Sequence, residues 1–204
     1  NAYYGLLLVV LVLALFLKPK LAFWVSLGIP ISFMGGFWLM PVLGVSINML
    51  SLFTFILVLG IVVDDAILVG ENVTLFRERG MEPREAAING ATQVATPVFF
   101  AVLTTMVTFS PMLAVEGTIG AIWRIFPLIT ISVLFWSLFE SLTILPTHLA
   151  HSSDQKSKIP WIRSVSDKWD NFQTKIKDGL SSFVDTYYKP VLHKSLNRPF
   201  TFLS

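Results

Sequence analysis

Five apolar stretches, each close to the length that crosses a bilayer, leave this chain little choice of fold. They run over about 3–17, 21–40, 47–74, 91–115 and 122–150. Roughly 20 apolar residues suffice for one transmembrane helix. In hydrocarbon the backbone must satisfy its own N–H and C=O groups, which a helix does within one segment. The expected fold is therefore all-α, a polytopic transmembrane helix bundle. Composition agrees, because only 14% of residues are charged where soluble domains carry about 25%. The chain starts at Asn1 without an initiator Met or a signal layout, and reads as a piece of a longer protein. With no cysteine, disulfides, thiolate metal sites and cysteine nucleophiles are excluded.

Charge distribution sets the expected orientation. With the N-terminal end outside, the inner segments are 18–20, 75–90 and 151–198. These hold 14 of the 15 Lys and Arg, with Arg124 the exception. Short loops rich in Lys and Arg stay cytoplasmic, so 151–196 is expected on the cytoplasmic side. Residues 151–159 are polar and read as a linker. Over 160–188 the apolar residues Ile162, Val165, Trp169, Phe172, Ile176, Leu180, Phe183 and Tyr187 recur at steps of three and four, which is one helical face. Lys168 and Lys175 lie off it, and Trp161 opens the segment. A basic amphipathic helix of this kind suits the inner-leaflet interface; the alternative is a helix packed on a soluble domain. Residues 197–204 read as the start of a further transmembrane helix.

The third stretch carries Asp64 and Asp65 in the run Gly60–Val73. A carboxylate near the bilayer centre costs about 2.5–3.5 kcal/mol even on the lenient insertion scale, so two in succession need a function. Adjacent helical residues point about 100° apart; both can face an interior cleft, but not one neighbour. Gly60 and Gly70 would let other helices come close. Two carboxylates this near in a low dielectric resist ionising together and act as a coupled pair. A proton carrier has that property. A structural salt bridge is the alternative, but no Lys or Arg of the chain lies at that depth.

Glu140 is the other intramembrane acid. Counting inward to His148 puts it at a depth like that of the aspartates, so it is a candidate for the same proton route. A protonated glutamate bonded to a carbonyl, Ser137 or Ser141 is the structural alternative. Thr104, Thr105 and Thr108 are candidates for that route too, although such hydroxyls commonly bond back to their own helix. His148, His151 and His193 have no ligand spacing. No metal site, other cofactor, catalytic constellation or nucleic-acid motif is expected. The chain reads as a transporter rather than an enzyme, with protons as coupling ion.

The run Gly60–Val73 closely resembles the fourth-helix motif of the resistance-nodulation-division (RND) exporters, in the hydrophobe and amphiphile efflux branch. Gly44–Ser51 resembles the lead into that helix, Glu116–Gly120 the outer turn before helix six, and Ile144-Leu145-Pro146 its inner end. The resemblance covers the whole chain in order. It implies the membrane domain of the first half of such a pump: helices two to six, the interfacial helix and the start of helix seven. It also implies a homotrimer in the bacterial inner membrane, driven by inward proton flow. Such a pump works with a periplasmic adaptor and an outer-membrane channel. Asp64 and Asp65 take the place of the family's proton-binding aspartates. Their lysine partner belongs to the second-half membrane domain, so this chain alone is not expected to transport. Gly70 replaces a branched aliphatic common in the motif, and Glu140 stands outside the best-known drug-pump pattern. A related protein that drives protein translocation or sterol-like lipid transfer, and a membrane scaffold with purely structural aspartates, are the other readings.

Overall fold

The computed structural model describes residues 2–151 and 160–197. Every described element is helical, as the apolar runs require. Helix α1 is Ala2–Phe16, α2 Pro19–Leu39, α3 Met49–Glu78 and α4 Pro83–Phe109, the last followed by a 3-10 turn at Ser110–Ala114. Then come α5 Gly117–Trp123, α6 Ile125–Phe139, a π-helical turn Glu140–Ile144 and α7 Leu145–His151. Among the described residues, four helical segments are long and apolar enough to cross a membrane: Pro19–Leu39, Met49–Glu78, Pro83–Ala114 and Gly117–His151. Helix α1 has 15 residues, about 22 Å, which is short of the roughly 30 Å hydrocarbon core.

The local causes are legible. Pro19 and Pro83 stand in the first turns of α2 and α4, where a missing N–H costs nothing. Asn48 is extended, and its side chain accepts from the N–H groups of Leu50 and Ser51 at 2.9 Å each. Ser51 Oγ accepts in return from Asn48 N–H at 2.8 Å. That reciprocal cap fixes the start of α3. Helix α3 ends in a turn whose Gly80 has φ +89°, a conformation glycine takes freely.

Two expected boundaries are corrected. The stretch expected over 91–115 lies within a longer helix that starts at Pro83, because Ala86, Ala87, Gly90 and Ala91 continue the helix and are buried along it. The single span expected over 122–150 lies within Gly117–His151; its helix begins earlier, at Gly117, breaks near Arg124 and widens into the π turn. Pro146 accounts for the widening: proline has no N–H and crowds the carbonyl four residues back. Accordingly Leu145 N–H bonds five residues back, to Glu140 O.

The first compact unit, Asn1–Ser153, packs α2, α3, α4 and the α6–α7 rod around two apolar clusters. One joins Leu17, Leu21, Val69, Val73, Val98 and Leu145. The other joins Phe55, Val58, Val62, Val102, Ile129 and Val133. Helix α3 is central, with buried residues recurring every three or four positions from Ser51 to Val73. At the end where α2 begins and α3 finishes, Lys18 pairs with Glu78 at 2.9 Å. There Arg77 donates to Leu149 O at 3.3 Å, and Trp24 stacks on His148 with centroids 3.9 Å apart.

The second unit, Asp154–Ser204, holds α8 Pro160–Phe183, a π turn Val184–Tyr188 and α9 Lys189–Asn197. The helical rod therefore runs past the expected end at 188. Pro190 follows its π turn as Pro146 follows the other. Lys189 pairs with Asp185 at 2.6 Å. Phe172, Leu180, Phe183 and Tyr187 are exposed on this rod; Trp169 is half-buried and Lys175 exposed. The side chains of Trp161 and Lys168, nearly all of the 151–159 linker, and 198–204 lie outside the described residues.

Candidate functional site

Helix α3 shows why two adjacent aspartates differ. Its buried stripe includes Val58, Val62, Asp65, Val69 and Val73; Val102 of α4 shares one apolar cluster with the first two and Val98 the other with the last two. Its open stripe includes Leu57, Gly60, Asp64, Leu68 and Glu71. The 100° step between neighbours puts one acid on each. Asp65 is 9% exposed, and its Oδ2 is buried without a hydrogen-bond partner. Asp64 is exposed. No described contact pairs either acid with a cation. Helix α3 thus carries one carboxylate inside the bundle and one on a face that the described residues leave uncovered.

The glycines divide in the same way. A Cβ on Gly70 would collide with Leu21 of α2, so Gly70 does admit a neighbouring helix, as expected. Gly60 differs: a Cβ there would meet nothing within 4 Å. It packs against no helix of the described chain, because it lies on the open stripe one turn before Asp64.

Helix α4 runs antiparallel to α3. Asn72 Nδ2 donates to Gly90 O at 2.7 Å and to Gln93 Oε1 at 3.1 Å. Measured from that bond, Asp64 lies about 12 Å along α3, while Thr104 lies about 21 Å along α4. The threonines therefore sit farther than the acids from the end of the bundle that holds Lys18 and Glu78. Thr104, Thr105 and Thr108 donate to Phe100 O, Ala101 O and Thr104 O on their own helix. No cross-helix bond from them is seen among the described residues.

Glu140 lies against α2. It is 3% exposed, and a Cβ placed on Gly28 would stand 2.5 Å from its carboxyl carbon. Contacts on either side fix its depth. Gly36 meets Val133 and Phe55, and Gly70 meets Leu21. Gly28 falls midway between Gly36 and Leu21, which on antiparallel α3 corresponds to Val63, next to Asp64. Glu140 thus shares the level of the aspartates, as the count from His148 indicated. No described hydrogen bond joins it to either of them.

Among the described residues there is no group of acids and histidines able to hold a metal ion. What the arrangement offers is three carboxylates at one level of an apolar bundle.

All 204 residues match the AcrB/AcrD/AcrF family. The chain belongs to that family. It is similar to the "Multidrug resistance protein MdtC" of Photorhabdus laumondii, 36% identical over 145 residues, which is 71% of this chain and 14% of that protein. It is likewise similar to the protein of the same name in Pectobacterium carotovorum, 40% identical over 141 residues, 68% of this chain and 14% of the relative. The chain therefore spans about a seventh of the length of these curated relatives. AcrB/AcrD/AcrF membership agrees with the RND resemblance and with an all-α, multi-pass membrane bundle. Motif and family had already marked Asp64 and Asp65. What the sequence alone could not disclose is the notch at Gly28, since a lone glycine in an apolar helix signals nothing about its neighbour.

Proposed function

We propose that this chain is the first-half part of the proton-translocating membrane domain of an RND-type antiporter that exports drugs or other amphiphiles. The observation that carries the reading is Asp65, a buried acid with an unpartnered oxygen, beside Asp64 on an uncovered stripe of the same helix. An acid in an apolar bundle is costly; a proton or a cation supplied by the rest of the transporter offsets the cost. Protons arriving from the periplasm would neutralise Asp64 and Asp65, release them from a cationic partner on the second-half membrane domain and let the helices shift. Each 100 mV of membrane potential supplies about 2.3 kcal/mol per proton to that cycle.

In this reading the protein lies in the bacterial inner membrane with the residue-1 end periplasmic and 151–196 cytoplasmic. It assembles as a homotrimer with a periplasmic adaptor and an outer-membrane channel, and α8 lies along the inner-leaflet lipids. The names of the relatives favour drug export over protein translocation or lipid transfer. The test is export of a fluorescent amphiphile by the full-length transporter in proteoliposomes under an imposed proton gradient. Asp64→Asn and Asp65→Asn should each abolish gradient-driven export while the protein still assembles. Export at the parent rate by both variants would remove the coupling role.

A further inference from the structure

Glu140 is a buried acid whose placement differs from that of the aspartates. Its carboxyl fills the notch left by the absent side chain of Gly28, at the first residue of the π turn. Two hydroxyls near this contact in sequence, Ser26 Oγ on α2 and Ser137 Oγ one turn before Glu140, are buried without partners. No cation faces the carboxyl from the elements packed on it. Helix α2 has no titratable residue from Leu21 to Leu39, and α6 has none from Ile125 to Phe139. Helix α3 offers only Asp64 and Asp65 at this level, and both are acids. On α7, His148 is two turns further on and stacked on Trp24. Among the described residues a proton is the counter-charge left to a carboxyl that is 3% exposed.

We propose that Glu140 is a second proton-binding carboxylate of the energy converter, separate from the aspartate pair and acting on helix α2 through Gly28. The step is a proton transfer. The carboxylate takes H⁺ from water on the outer side, an O–H bond forms and the charge is lost; on the inner side the bond breaks and H⁺ returns to water. The neutral carboxyl fits the Gly28 notch and lets α2 seat against the α6–α7 rod. The ionised form draws water and unseats it. This builds on the proton-driven reading above but assigns a different residue and helix.

The test is infrared difference spectroscopy of the purified full-length transporter in lipid, titrated with pH and read at the C=O stretch of protonated carboxylic acids. In an Asp64→Asn/Asp65→Asn background one such band should persist, appear and vanish with pH, and be lost on adding Glu140→Gln. If the glutamine variant does not assemble, Glu140→Asp should retain a titrating band at a shifted frequency. A band present at every pH, or absent at every pH, overturns the proposal. Failure here leaves the aspartate reading intact, because that reading stands or falls on gradient-driven export by the single aspartate variants.

Discussion

Gly90 lies directly on the backbone of Val73: a Cβ built on the glycine would stand 2.6 Å from Val73 Cα and 2.8 Å from its nitrogen. Backbone cannot swing aside as the end of a side chain can. This approach, with the Asn72 bonds to Gly90 and Gln93, locks the register of α3 and α4 and so the level of the acids. Overpacking typically costs about 1–3 kcal/mol, and here the obstacle is main chain. Gly90→Ala should therefore lower the thermal unfolding temperature of the purified transporter and reduce its amount in the membrane. An unfolding temperature equal to the parent's would mean that the two helices are free to separate.

The Asn48 cap permits a smaller, cleaner measurement. Asn48→Ala removes the acceptor for two N–H groups. Losing an N-cap usually costs about 1 kcal/mol. A modest fall in unfolding temperature is expected, and Asn48→Ser or Asn48→Asp should recover most of it. Equal losses in all three variants would show that the side chain packs rather than caps.

Most of this architecture was legible because membrane burial writes itself into composition. The apolar runs gave the helices, and the paired aspartates gave the candidate site. What the sequence left open is local chemistry that acts across helices. Gly60 and Gly70 look alike in sequence, yet one meets open space and the other meets Leu21, since that depends on which stripe of α3 each occupies. The π turns before Pro146 and Pro190 could not be read from proline alone, because Pro30 and Pro97 sit inside α2 and α4 without one. The level shared by Glu140 and the aspartates followed from counting residues. The face that Glu140 presents to Gly28 did not, because it depends on how the α6–α7 rod meets α2.

Asp65 separates stability from activity. Its Oδ2 is buried and unbonded, which is unfavourable for any acid. Asp65→Asn keeps the shape and removes the possibility of charge. At a pH acid enough to protonate the parent's aspartates and release their cationic partner, the variant should unfold at or above the parent's temperature while export is lost, the usual exchange at a site strained for function. A large fall in unfolding temperature under those conditions would instead identify Asp65 as a permanent structural partner of a cation in the complete transporter.

The threonines of α4 give the opposite expectation. Each hydroxyl proton of Thr104, Thr105 and Thr108 is already donated to a carbonyl of its own helix, so replacement by valine removes no bond between helices. Surface changes away from special features usually stay within about 0.5 kcal/mol. Thr104→Val, Thr108→Val and the double variant should therefore match the parent in unfolding temperature. With the hydroxyls so committed, gradient-driven export should also be retained. Loss of export at unchanged stability would show instead that water reaches these hydroxyls from the uncovered face of α4, and would put Thr104 and Thr108 on the path by which protons approach Asp64.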